Sequence, residues 1–198
     1  MAEEPARTFR ARRFFKLYDD VYAPERWELK GPTEAKGHEP DDVWQFTGGH
    51  PVKDPGPLFV KYDIPGQPLD YSHGGLDVPI VHARVAEVFT RLAPQDIQLL
   101  PVQVDEQTDP YFILVVTRLV RCIDEKASQI DFWIPEDGVP EKAGQYSSVR
   151  DLHIDKSQVG DEQIFRVQDW EVVILVSEEL KDALERSQAT GLTFTEVP

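Results

Sequence analysis

The sequence predicts an α+β fold: one domain over 1–198, with a largely antiparallel mixed sheet, two main helices and a loop-rich N-terminal segment. Three observations carry this. The runs Tyr111–Ile123 and Glu171–Val176 are apolar and β-branched, as strands buried on both faces are. Apolar residues recur at helical spacing near 79–92 and again near 180–184. Sixteen prolines and twelve glycines demand more turns than a helical bundle has.

Residues 1–72 read as a wrapping segment, with short strands at Phe14–Tyr18, Trp27–Leu29 and Leu58–Tyr62. Between them, Gly31–Gly56 is dense in Gly, Pro, Asp and Glu, and Trp27, Trp44 and Phe46 are expected to dock on the rest of the chain. The core, 73–198, opens with a helix from Pro79 to Leu92, capped by Asp77 and buried through Val81, Val85, Val88, Phe89 and Leu92. Ile97–Val104 is a strand that Pro101 places near an edge. Tyr111–Ile123 is a central strand. Ile130–Ile134 alternates, with Ile130, Phe132 and Ile134 on one side and Asp131 and Trp133 on the other. Pro135–Gly144 is a turn-rich loop, and Val149–Ile154 and Gln163–Val167 are further strands. After Glu171–Val176, Ser177 caps a second helix, Glu178 and Glu179 suit its positive end, and Gly191 permits its stop. Thr193–Val197 closes the chain as a strand. No internal repeat is evident.

Lys and Arg number 21 against 36 Asp and Glu, a net charge of −15. Residues 1–99 hold 12 basic and 16 acidic side chains, net −4; residues 100–198 hold 9 and 20, net −11. Phosphate backbones and anionic lipid repel such a chain, which argues against nucleic-acid and membrane partners and for a basic protein partner. The basic N-terminal run, Arg7, Arg10, Arg12, Arg13 and Lys16, precedes no apolar stretch of a secretory signal. With one cysteine, Cys122, no intrachain disulfide forms, which suits a cytoplasmic location.

Catalytic signatures do not emerge. His38, His50, His73, His82 and His153 show no zinc-ligand spacing, and no cofactor is implied. His38-Glu39-Pro40-Asp41-Asp42 reads as a solvated acidic loop, and Ser72-His73-Gly74-Gly75 as a turn. Cys122, inside an apolar run, reads as a buried thiol. The recurrent feature is acidic turns. Asp124, Glu125, Asp131, Glu136, Asp137, Glu141, Asp161, Glu162 and Asp169 cluster in sequence around Trp133 and Trp170. Singly, such residues are turn formers and caps. As a set they resemble the charged rim and aromatic anchors of a protein interface, although both tryptophans also suit a core.

The stretches Lys126-Ala127-Ser128, FWIPEDGVPEKAGQY (132–146), LHIDKSQVGDEQIFR (152–166) and VVILVSEELKDALERSQATGLTFTEV (172–197) resemble a family of myxobacterial immunity proteins. DVYAPERWELKGP (20–32), DDVWQFTGGHPV (41–52) and VPIVHARVAEVFTRLAP (78–94) are similar to its N-terminal portion. The resemblance implies a polymorphic toxin system used in kin discrimination, in which the immunity protein binds a delivered toxin, in some cases a nuclease, without catalysis. A regulatory or scaffold subunit with a constitutive partner is the alternative. A small hydrolase using His153 or His82 is a third reading.

Stoichiometric protection predicts that alanine at any histidine or at Cys122 leaves growth rescue intact at equal soluble protein. Complete loss of rescue in a variant of unchanged stability contradicts it.

Overall fold

The structure is a computed structural model that describes residues 12–198; Arg7 and Arg10 of the basic run lie outside the described residues. In chain order its strands are β1 (Phe14–Asp19), β2 (Glu28–Leu29), β3 (Leu58–Val60), β4 (Tyr62–Ile64), β5 (Tyr71–Gly74) and β6 (Val78–His82). Helix α1 (Ala83–Leu92) follows, then β7 (Ile97–Val104), β8 (Tyr111–Val116), β9 (Leu119–Val120), β10 (Gln129–Phe132), β11 (Tyr146–Arg150), β12 (Ile164–Val167) and β13 (Trp170–Ser177). Helix α2 (Glu178–Arg186) and β14 (Leu192–Val197) end the chain.

The α+β class holds, and the expected sheet is two principal sheets. One has the order β14-β1-β13-β12-β9, the other β3-β7-β8-β6-β5. Both are antiparallel except where β9 joins β12 and β3 joins β7. Both helices cover one face of each sheet. There Val85, Phe89, Leu180 and Leu184 pack with Phe15, Ile174 and Val176 from the first sheet and Tyr71, Val81 and Leu114 from the second. The far face of the second sheet, including Ile113 and Val115, is covered by Trp27, Leu29, Phe46 and Val52 of the N-terminal segment. The far face of the first, including Phe165, Val173 and Leu175, is covered by Leu152 and Ile154. Burial on both faces explains why β8 and β13 read as continuous apolar runs.

Several elements differ from the sequence expectation. The helix expected from Pro79 begins at Ala83, because Val78–His82 is a strand paired with β5 and, from Ile80 onward, with β8. Pro79 lies beyond the β8 ladder, so its missing N–H leaves no bond there unmade. The cap is His82, not Asp77: its Nδ1 accepts the Arg84 N–H at 3.3 Å. Ser72–Gly74 is strand rather than turn. Pro101 is tolerated one strand in from the edge, because β3 pairs only with Val102–Val104. Tyr111–Ile123 is not one strand. It leaves the second sheet after Val116 and enters the first at Leu119. The crossing is pinned by buried Asp96, whose carbonyl accepts the Thr117 N–H and whose carboxylate accepts from Arg118 and from the Gln163 N–H. Trp27 and Phe46 dock as expected, but Trp44 remains 59% exposed. Ser177 caps α2, accepting the Leu180 N–H, as expected. After α2 both Gln188, at φ 54°, and Gly191, at φ 83°, are left-handed, and Gly191 also lets the chain pass against the Tyr71 carbonyl, where a Cβ would stand 2.1 Å away.

The two sheets also repeat one plan. β7-β8-β6-β5 and β14-β1-β13-β12 share neighbour order and antiparallel sense, with the helix following β6 in one and β13 in the other. The cap residues His82 and Ser177 pair with Tyr111 and Phe14, which pair in turn with Val102 and Val197. Residues 78–102 therefore map onto 173–197 without a gap, and Val81, Val85 and Phe89 fall on Val176, Leu180 and Leu184, all fully buried. Few identities survive, among them Val81 with Val176 and Arg91 with Arg186, and the fourth strand comes from after β7 in one half and before everything in the other.

Two outcomes test this architecture. Phe89→Ala is expected to cost about 3–5 kcal/mol in denaturant unfolding, against about 1 kcal/mol if the helix interface were loosely packed. Asp70 joins the halves: its carboxylate pairs with Arg84 and accepts from the Thr190 N–H and hydroxyl, both at 2.7 Å. Burial alone raises its pKa, but these bonds outweigh burial and hold it below the usual value. A depressed folded pKa stabilises above the unfolded value of about 3.9 and is lost as pH falls through the folded one. Asp70→Ala should thus cost about 1–3 kcal/mol at neutral pH, with the deficit shrinking below about pH 4; a deficit constant down to low pH contradicts the ionic clasp.

Candidate partner-binding surface

The acidic turns surround one feature, a hairpin of β10 and β11 that belongs to neither large sheet. Ile130 pairs with Val149 and Asp131 with Ser148, and a bulge then brings Phe132 opposite Tyr146. Pairing runs on past the strands, since Trp133 donates to the Gln145 carbonyl and accepts from the Gly144 N–H, both at 2.9 Å. The tip is two single 3₁₀ turns at Pro135–Asp137 and Pro140–Lys142, each opened by proline. Asp137 closes the first by accepting the Ile134 N–H at 3.0 Å. At the base, the Asp124 carboxylate accepts from the Lys126 and Ala127 N–H groups, and Ser128 exchanges hydrogen bonds with the His153 backbone.

Apolar side chains stand exposed on this arm. Phe132 is 45% and Ile134 51% exposed, and Asp131 between Ile130 and Phe132 is exposed as well. Trp133 is half-buried beneath Lys142, whose ammonium lies 5.6 Å from the ring centroid. Asp131 pairs with Arg150 at 2.8 Å, while Glu136, Asp137 and Glu141 are exposed along the tip.

Beside the hairpin lies a cleft of about 530 Å³ lined by Arg121, Glu125, Phe132, Tyr146, Asp169 and Glu171 among others. The Tyr146 hydroxyl donates to Glu125 at 2.6 Å. Burial and that carboxylate push the phenol up to about 12, so it stays a donor at neutral pH. Phe132 and Tyr146 rings stand 5.4 Å apart, forming an aromatic wall. Asp169 sits in the left-handed turn between β12 and β13, its N–H held by Glu171 at 3.0 Å.

The fold thus gathers Asp124, Glu125, Asp131, Trp133, Glu136, Asp137, Glu141 and Asp169 on the hairpin or its adjoining cleft. It does not bring Asp161 and Glu162 there. They precede β12, whereas Asp169 follows it, and the Gly160 and Glu162 carbonyls accept from Arg12. Trp170 packs on the core beneath the first sheet. Sequence reasoning passed over Phe132, Ile134, Tyr146 and Arg121 as contact residues, although the alternation at 130–134 already isolated an apolar side. The surface combines exposed apolar side chains with carboxylates, and Arg121, Lys142 and Arg150 stand among them.

Of the two histidines in the hydrolase reading, His82 stands 3.7 Å from Asp70 and 4.0 Å from Asp109, and the backbone of His153 bonds with Ser128. Ser72 is fully buried with its hydroxyl accepting from the Trp27 indole at 2.7 Å, and His82 serves as a helix cap. Cys122 is buried, which pushes its thiol up to about 12 and leaves almost no thiolate at neutral pH.

No curated protein matches this chain. A family model described as "Immunity protein family (Imm11)" matches residues 17–198, from within β1 to the last residue, and the chain therefore belongs to that immunity protein family.

Proposed function

We propose that the chain neutralises a cognate bacterial toxin by stoichiometric binding, without catalysis, holding the toxin's basic surface against the β10–β11 hairpin and its cleft. The observation that carries the reading is the hairpin itself: Phe132 and Ile134 exposed on an arm whose tip bears Glu136, Asp137 and Glu141. Exposed apolar groups rimmed by charge mark protein-contact surfaces. Family membership supplies the immunity role.

Charge supports the choice of partner. A nuclease toxin must present cations to bind phosphates, and an acidic inhibitor can cover them. The net −11 of residues 100–198 would draw such a toxin in, and the desolvated apolar anchors would set how long it stays. On this reading the encounter occurs in the cytoplasm of a cell receiving toxin, within a polymorphic toxin system that discriminates kin. No helix is long and apolar enough to cross a membrane among the described residues.

Co-expression with the neighbouring toxin-like reading frame should restore growth and yield a co-purifying complex. Surface plasmon resonance across a salt series then separates the two contributions. Association should slow markedly as the Debye length falls from about 30 Å at 0.01 M to roughly 8 Å at 0.15 M, and dissociation should change much less. Glu136→Lys with Asp137→Lys should slow association several-fold. Phe132→Ala should speed dissociation about tenfold or more, the equivalent of about 1.4 kcal/mol. Association rates flat with salt contradict the electrostatic reading, and unchanged dissociation in Phe132→Ala removes the hairpin from the interface.

A further inference from the structure

A second pocket lies away from the hairpin tip, where the two sheets approach one another. Its walls come from the wrapping segment (Trp44, Thr47, Gly48, His50), from the turn between β5 and β6 (Leu76, Asp77) and from the first sheet (Leu119, Arg166, Glu171, Val172). The volume is about 390 Å³, within the range of small-ligand sites. Its rim is apolar and exposed: Trp44 and Val172 each show more than half their surface, and Leu76 is held in the left-handed region at φ 61°.

Arg166 is the most deeply buried of the lining residues, at 1% exposure. Its Nη1 donates to the Glu171 carbonyl at 2.5 Å. Its Nε and Nη2 are buried and meet no acceptor among the described residues, and no carboxylate among them forms an ion pair with it. Arginine does not shed its proton in proteins, so this is a buried cation with two idle donors. Leaving them unmade is costly, since each buried unpaired donor forfeits its hydration. Nε and Nη2 lie on the same edge of the guanidinium plane, the edge that matches the two oxygens of a carboxylate.

We infer that this pocket binds a monocarboxylate carried on an aromatic or branched aliphatic body, the carboxylate meeting the Nε–Nη2 edge of Arg166 and the body packing between Trp44, Leu76 and Val172. Charge selects the monoanion. Asp77 and Glu171 also line the pocket, and the chain's net −15 opposes a dianion such as phosphate. The carboxylate can arrive on a free organic acid or as the C-terminal residue of a peptide, and the site chemistry is the same for both.

The test is calorimetric titration of the full chain with phenylacetate, with an acetylated hexapeptide ending in free leucine, with the same peptide amidated, and with inorganic phosphate. Saturable binding is expected for one or both carboxylates and not for the amide or phosphate. Phenylacetate alone assigns the site to free acids; the peptide alone assigns it to chain ends. Arg166→Met should weaken binding at least about tenfold while melting no lower than wild type, because a buried unpaired charge is removed. Trp44→Ala, at an exposed position that does not hold the core, should weaken binding with Arg166 intact. Lack of saturation by both carboxylates at about 10 mM, equal binding by phosphate or amide, or unchanged affinity in both variants overturns the proposal.

Discussion

The core where both helices meet both sheets is the constraint on which the rest depends. α1, with Val85 and Phe89, packs on the second sheet, α2, with Leu180 and Leu184, packs on the first, and the helices meet each other, so one continuous core joins the two halves. Once those faces are joined, the outer faces must be covered separately. The N-terminal segment does this for one sheet with Trp27 and Phe46, and residues 152–154 do it for the other. Asp96 and Asp70 then fasten the seam by taking hydrogen bonds from both halves. Among the described residues two ladders stand apart from the principal sheets: β2–β4, whose Leu29 and Tyr62 join the core over the second sheet, and the β10–β11 hairpin.

Much of this was legible in the sequence, for identifiable reasons. β13 and α2 stand out because a two-face-buried strand is continuously apolar and Ser177 is a strong cap. β6 was not legible: Val78, Val81, Val85 and Phe89 also satisfy helical spacing, and only pairing with β5 and β8 decides for strand. The break at Thr117–Arg118 is equally tertiary, since its pin, Asp96, is distant in sequence. The duplicated plan was hidden because burial, not identity, is what Val85 and Leu180 share. At the surface, acidic turns were readable, yet sequence proximity could not tell that β12 would hold Asp161 and Asp169 at opposite ends. That Nε and Nη2 of Arg166 meet no acceptor among the described residues is invisible in a sequence, because it depends on which groups the fold brings near.

Electrostatics and packing have separate tasks in this molecule. The strong negative charge acts at a distance and selects the sign of an approaching surface, while exposed carboxylates at the hairpin tip add little binding once screened. In the proposed complex, lasting contact comes from groups that lose water, and the exposed apolar candidates on the hairpin are Phe132 and Ile134. Around Arg166 an enclosed cation sits in a pocket lined by Trp44, Leu76 and Val172 and also by Asp77 and Glu171. Glu171 lines both surfaces, so substitutions that separate them fall elsewhere, at Phe132 for one and Trp44 for the other.

The central claim is that a rigid two-sheet body presents the hairpin to its partner. Amide hydrogen exchange with and without the cognate toxin tests it most directly. The account predicts protection concentrated in residues 129–150 and in the turn at 168–169, with the helices, β8 and residues 172–177 of β13 unchanged because they are already closed. Protection confined to other segments, with exchange across 129–150 unaltered in a saturated complex, would contradict it.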